Sequence, residues 1–138
     1  MVILAGVLTL VGFAVFENWR LDKSSHRYVE GAIPPIVDHW SKDELEKRES
    51  PDFGQGTSDA DLARLFAKFS RLGAVRGYHD AIGEASIRLT SGGLRITAAY
   101  RMDAIFQNGP ASILVSLVRI NHQWAIAGFR VDSPLFPK

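Results

Sequence analysis

The chain has 138 residues, 46% of them hydrophobic and 22% charged, with no cysteine and a formal net charge of +1. That length fits one domain, and the composition excludes a disulfide scaffold, a cysteine-based zinc site and an intrinsically disordered chain. So slight a positive charge is no electrostatic footprint for nucleic acid, which calls for Lys and Arg massed on one face of a strongly basic domain.

The hydrophobic residues are unevenly spread. Val2 through Phe16 carry no charge, and Thr9 is the only polar side chain among them. Glu17, Asn18 and Trp19 then mark a water interface. Fifteen helical residues reach about 22 Å; extension to Leu21, with Trp19 at headgroup level, reaches about 30 Å, the thickness of a hydrocarbon core. Residues 1–21 are therefore predicted to be an N-terminal transmembrane anchor, in contact with the lipid bilayer through residues 2–21, and residues 22–138 a separate domain. A signal sequence competes with this reading, because Gly12 and Ala14 suit a cleavage site. No Lys or Arg precedes the apolar run as an n-region, so an uncleaved segment is expected. Arg20, Lys23 and Arg27 follow the run, and the positive-inside rule taken literally puts the domain in the cytoplasm.

Tyr28, Val29, Ile33, Ile36, Val37 and Trp40 recur at offsets of three and four, the stripe of one helix. Pro34 and Pro35 interrupt it, and a kink or restart is expected there. Ser41-Lys-Asp-Glu44 reads as a capping box opening a short helix that ends near Arg48. Residues 50–57, with Pro51, Gly54 and Gly56, read as a loop. Ser58 caps a further helix whose apolar face is Leu62, Leu65, Phe66, Phe69 and Leu72, and Gly73 stops it.

After Ala74 the period changes to two. Ala85, Ile87 and Leu89 alternate with polar neighbours, and Ser91-Gly92-Gly93 turns the chain. From Leu94 to Gln107 the alternation runs unbroken, and its length predicts a strand that is bent or bulged. Asn108-Gly109 is a hairpin signal, followed by a strand from Ala111 to Ile120 that is apolar on both faces. A turn near Asn121-His122 leads into a last strand around Trp124 to Val131. The predicted class is α+β: helices first, then an antiparallel meander of at least four strands curved around them, with a core of Trp40, Leu65, Phe66, Phe69, Tyr100, Phe106 and Trp124.

The stretches Val37-Asp-His-Trp40, Leu65 to Gly73, Thr97-Ala-Ala-Tyr100, Phe106-Gln-Asn-Gly-Pro-Ala111 and Trp124-Ala-Ile-Ala-Gly-Phe129 together resemble bacterial membrane-anchored proteins with an NTF2-like, cystatin-like domain. The likeness covers about residues 25 to 133. It implies helices packed on a cone-shaped antiparallel sheet, and a domain held at the inner membrane and facing the periplasm. That orientation is preferred over the charge rule, because Glu17 and Asp22 partly offset the three basic residues.

The resemblance also implies where chemistry would sit. NTF2-like enzymes work with a carboxylate, often beside a Tyr or His, pointing into the cone, where burial raises a carboxyl pKa toward neutrality. Asp103 and Arg101 share strand parity with Arg95 and Thr97 and so point away from the interior. Asp38-His39 diverge by about 100° on a helix and read as solvated surface. Tyr78 and His79, with Asp80, form either a strand end or a loop cluster. His26, His39, His79 and His122 show no metal-ligand spacing, so no metal site is expected and no cofactor is implied. Tyr28, Trp40, Phe66, Phe69, Tyr100, Phe106 and Trp124 read as core, or else as the lining of an apolar pocket. The function expected is a non-catalytic, membrane-anchored binding or accessory module within a larger membrane complex, or a homodimer joined through the outward residues Ala99, Ile105, Leu114 and Val118. Its alternatives are a small isomerase, lyase or hydrolase acting on an apolar substrate, and a carrier of lipid or another hydrophobic ligand.

Overall fold

The computed structural model describes residues 2–136, with side chains from Trp19 onward. Its helices are α1 (Val2–Val37), α2 (Lys42–Glu46), α3 (Pro51–Gly56) and α4 (Asp59–Phe69), the last followed by a 3-10 turn, Ser70–Leu72. Five strands come after: β1 (Val75–Tyr78), β2 (Ile82–Thr90), β3 (Gly93–Phe106), β4 (Gly109–Ile120) and β5 (Gln123–Asp132). The class is α+β, with an open antiparallel sheet in the order β1-β3-β4-β5 and β2 paired to β3 beside β1. No helix among the described residues is long and apolar enough to cross a membrane. The apolar run Val2–Phe16, which carries most of the predicted anchor, lies outside the residues whose side chains are described.

The helix does not restart at the prolines: α1 runs through Pro34 and Pro35 to Val37. Both prolines sit within reach of the helix end, so the donors they lack interrupt only the last bonds of the ladder. Trp40 then takes a left-handed backbone at φ 46°, and the Ser41 N–H donates to the Ile36 carbonyl at 2.9 Å. This is a Schellman-type stop with tryptophan in the position that glycine usually fills. The left-handed region costs a side-chain-bearing residue about 1–2 kcal/mol. Ring packing offsets that cost: Trp40 lies 5.0 Å from Phe69, 5.8 Å from Phe66 and 6.1 Å from Phe106.

Ser41 caps α2 as expected, its Oγ accepting from the Glu44 N–H at 3.2 Å. Residues 51–56 are helical and not loop. Ser50 is the N-cap, accepting from the Phe53 N–H at 3.3 Å, and Pro51 stands at the first helical position, where its missing N–H removes no helical bond. In α4 the buried stripe is Leu62, Phe66 and Phe69. Leu65, expected in the core, is 42% exposed, because it lies one residue off that stripe. Gly73 closes the segment at φ 84°, and a Cβ there would lie 2.9 Å from Gln107 Cβ.

The strand β3 reaches its length without an extra residue of its own, the bulge in its pairing with β1 lying on β1. It passes from one neighbour to another, pairing β2 from Gly93 to Arg101 and β1 from Ala104 to Phe106. Register irregularities fall instead in β1, between Val75 and Gly77, and opposite Ser116/Leu117 in the β4–β5 pair. The second skips Ala127, so that Ile126 and Val131 are both buried despite their opposite parity. Asn121 and His122 form a two-residue turn with φ 51° and 64°, the mirror-image type that suits strand twist. The core gathers Val29, Ile33, Ile36, Leu45, Phe66, Phe69, Tyr100, Met102, Phe106, Ile113, Leu117 and Ile126 from every layer.

Replacing Trp40 by Ala removes the ring that spans α4 and β3. Urea unfolding is expected to show a loss of about 2–4 kcal/mol for Trp40→Ala, against less than about 1 kcal/mol for Leu65→Ala at its exposed position.

Candidate functional site

The interior is packed apolar. Phe66, Phe69, Tyr100 and Phe106 are buried in the core, and Tyr28, Trp40 and Trp124 are partly buried against it. Tyr28 and Trp124 also border an open cavity of about 450 Å³ together with Arg48 and Gln123. Trp124 donates its indole N–H to Ser24 Oγ at 2.8 Å and carries the Arg119 guanidinium over its ring at 5.4 Å. Tyr100 donates to the Asp22 carbonyl at 3.0 Å and lies 2.7 Å from Ser25 Oγ. Apart from that phenol, the buried polar residues among those described are Ser25 and Ser50. No Asp, Glu or His among the described residues is buried in the core.

The five polar candidates divide between the two sides of the sheet. Tyr78 and Asp38 meet on the helix side: the Tyr78 hydroxyl donates to Asp38 Oδ1 at 2.7 Å. His39 is exposed just past the end of α1. Asp103 and Arg101 lie on the outer face, as the alternation requires, with Arg101 Nε 3.4 Å from the Asp103 carboxylate. His79 joins Asp103 there, its backbone N–H donating to the Asp103 carbonyl at 2.9 Å.

His79 and Asp103 border one open outer-face cavity of about 560 Å³, with Ile82, Ile105, Ser112 and Asp132. Two polar residues here, Ser112 and Asp132, are not among the candidates that the sequence offers. Ser112 sits directly across from Asp103 and from Asp132, and its hydroxyl donates to Asp103 Oδ1 at 2.7 Å. The two-residue turn before Gly109 sets that register, so Ser112 was findable by counting back from the hairpin; Asp132 was not, because the skipped Ala127 shifts β5. The arrangement presents two carboxylates, each held near an arginine, above an apolar bed. Ser112 gives its proton to a carboxylate and not to His79, so no nucleophilic Ser-His relay is assembled. Among the described residues no group of three His, Asp or Glu is placed to hold a metal ion. The site suits polar recognition of a partner's hydrogen-bond donors or cations.

Burial, then the hydrogen bond to Asp38 and its charge, push the Tyr78 phenol far above its ordinary value of 10.0. Burial likewise raises Tyr28 and Tyr100. The folded chain therefore holds these protons more tightly than the unfolded one. Stability is intact below the unfolded value of about 10 and falls as the pH rises past it. Phenolate absorbance is expected to appear together with loss of circular dichroism in one alkaline transition. In Tyr78→Phe, neutral-pH stability should drop by about 0.5–1 kcal/mol, and its decline above about pH 10 should be shallower than in the parent chain. Phenolate appearing at the ordinary value while the fold is intact would contradict this.

Comparison with known proteins found no match to this chain among protein-family models, curated proteins or solved structures.

Proposed function

We propose that the chain is a membrane-anchored, non-catalytic binding or accessory module with an NTF2-like domain, a bacterial inner-membrane protein facing the periplasm and working within a larger membrane complex. The observation that carries this reading is a single helix. The charge-free run Val2–Phe16 and the core-forming stretch Val29–Val37 both belong to α1. Whatever grips the run holds the sheet at a fixed distance. The apolar core and the open outer cavity favour recognition over catalysis, and the resemblance to anchored NTF2-like proteins supports the orientation. Ala99, Ile105 and Leu114 on the outer face, interleaved with Arg101, Asp103, Arg130 and Asp132, offer a mixed surface of the kind that transient partners use.

Alkaline carbonate washing of membranes from cells expressing the full chain tests the anchor. The chain is expected to stay in the pellet. A Val7→Arg, Val11→Arg variant should move to the supernatant, since each arginine at mid-span costs about 2.5–3.5 kcal/mol of insertion. Extraction of the unaltered chain would sink the proposal. The chain has no native cysteine, so an Ala63→Cys variant reports orientation cleanly: a membrane-impermeant maleimide added to spheroplasts should label it, and labelling only after lysis would place the domain in the cytoplasm.

A further inference from the structure

We propose that the tip of the β2–β3 hairpin is a second lipid-contacting element, resting on an anionic bilayer surface beside α1; this builds on the anchor reading above. The hairpin pairs without irregularity from Ile82↔Arg101 to Thr90↔Gly93. Its core-side face is covered as far as Ala85 and Ala98, which are buried. Beyond them the same face continues as two cross-strand pairs, Ile87↔Ile96 and Leu89↔Leu94. Ile96 still packs against the core, and past it the cover ends: Ile87 is 42%, Leu94 71% and Leu89 83% exposed.

The opposite face of the tip carries Arg88 directly across from Arg95. Like charges in that position repel. Glu84 and Asp52 border the same grooves as these arginines, but neither arginine forms an ion pair with a described residue. From Ser86 to Thr97 the sequence holds no acidic residue at all. Leucines on one side and unneutralised arginines on the other match the boundary of a bilayer containing anionic lipid, where the apolar groups enter the acyl region and the cations meet phosphates. A second copy of the chain fits poorly, since tip-to-tip contact would add two more arginines to the two already opposed.

Helix α1 brings the same end of the domain toward lipid. His26 lies 3.1 Å from the Ala81 carbonyl, and Asp22, one turn earlier, accepts from the Ala85 N–H at 2.7 Å. From His26 to Asp22 the helix contact thus moves from Ala81 to Ala85, toward the tip. Trp19 is 53% exposed, with Lys23 Nζ 4.9 Å from its ring centre, an aromatic–cation pair suited to the headgroup level. The apolar run precedes Trp19 in sequence.

Single-cysteine variants Leu89→Cys, Leu94→Cys and Ala63→Cys of the full chain, labelled with an environment-sensitive fluorophore, test this in equimolar phosphatidylcholine and phosphatidylglycerol vesicles. Amphipathic surfaces sink about 5–10 Å into the headgroup boundary, within reach of lipid nitroxides attached near the top of the acyl chain. Emission from positions 89 and 94 is expected to fall about twofold with nitroxide lipid, while position 63 stays unchanged. In pure phosphatidylcholine the quenching at the tip should weaken, and Arg88→Gln with Arg95→Gln should abolish the difference between the two lipids. If the chain floats with the vesicles but positions 89 and 94 quench no more than position 63, the tip proposal is wrong and the anchor reading stands. A chain that fails to float overturns both.

Discussion

Helix α1 is held to the sheet where its side chains occupy the place of a neighbouring strand. β2 is an edge, and the polar backbone groups on its free side need partners. Asp22, His26 and Glu30 stand one turn apart on α1. Asp22 accepts from the Ala85 N–H, Glu30 accepts from the Ala81 N–H at 3.3 Å, and His26 faces the Ala81 carbonyl while lying 3.2 Å from Glu30. A hydrogen bond to a charged group contributes about 1.5–3 kcal/mol, more than a neutral one. The buried Ser25–Tyr100 contact ties the same turn of α1 to β3. Helix position, β2 register and the burial of Val29, Ile33 and Ile36 are thereby linked.

The opposite edge of the sheet is closed by a different device. The chain leaving α2 runs briefly parallel to β5: the Ser50 N–H donates to the Ile126 carbonyl at 2.7 Å, and the Ile126 N–H donates to the Arg48 carbonyl at 2.6 Å. Ser50 then turns at once to cap α3. The protection sits where Ala127 interrupts the β4–β5 register, a place otherwise rich in unpaired backbone groups. Both sides of the sheet are thus engaged by the helical part of the chain, while the β2–β3 tip leaves Leu89 and Leu94 exposed.

The two faces of the sheet divide the work. The helix side is filled by aromatic rings around Trp40, whose strained backbone persists because three phenylalanine rings determine its position. The outer side carries His79, Asp103 and Asp132, where water screens the carboxylates and their ion pairs with Arg101 and Arg130 are worth little.

What was legible in the sequence was local. The alternation in β3 named its buried face from Ala98 to Phe106, the turn at Asn121-His122 followed from short-range backbone preference, and Ser41 and Ser58 marked their helices by capping, whereas the hairpin expected at Asn108-Gly109 turns one residue earlier, at Gln107-Asn108, with Gly109 already paired in β4. Local signals mislead where two compete: Pro34 and Pro35 argue for a kink or restart, yet the helix continues through them to its end at Val37, and Gly54 and Gly56 argue for a loop where Ser50-Pro51 starts a helix. Everything that joins distant segments was decided by tertiary structure. The Tyr78–Asp38 bond, the Ser112–Asp103 pair, the displaced Leu65 and the hold of Asp22 on β2 depend on register and on how α1 and α4 settle onto the sheet. A periodic pattern states which side of an element is apolar, because burial acts on each residue separately. It does not state which polar groups will meet, because that depends on the geometry of all the packed elements at once.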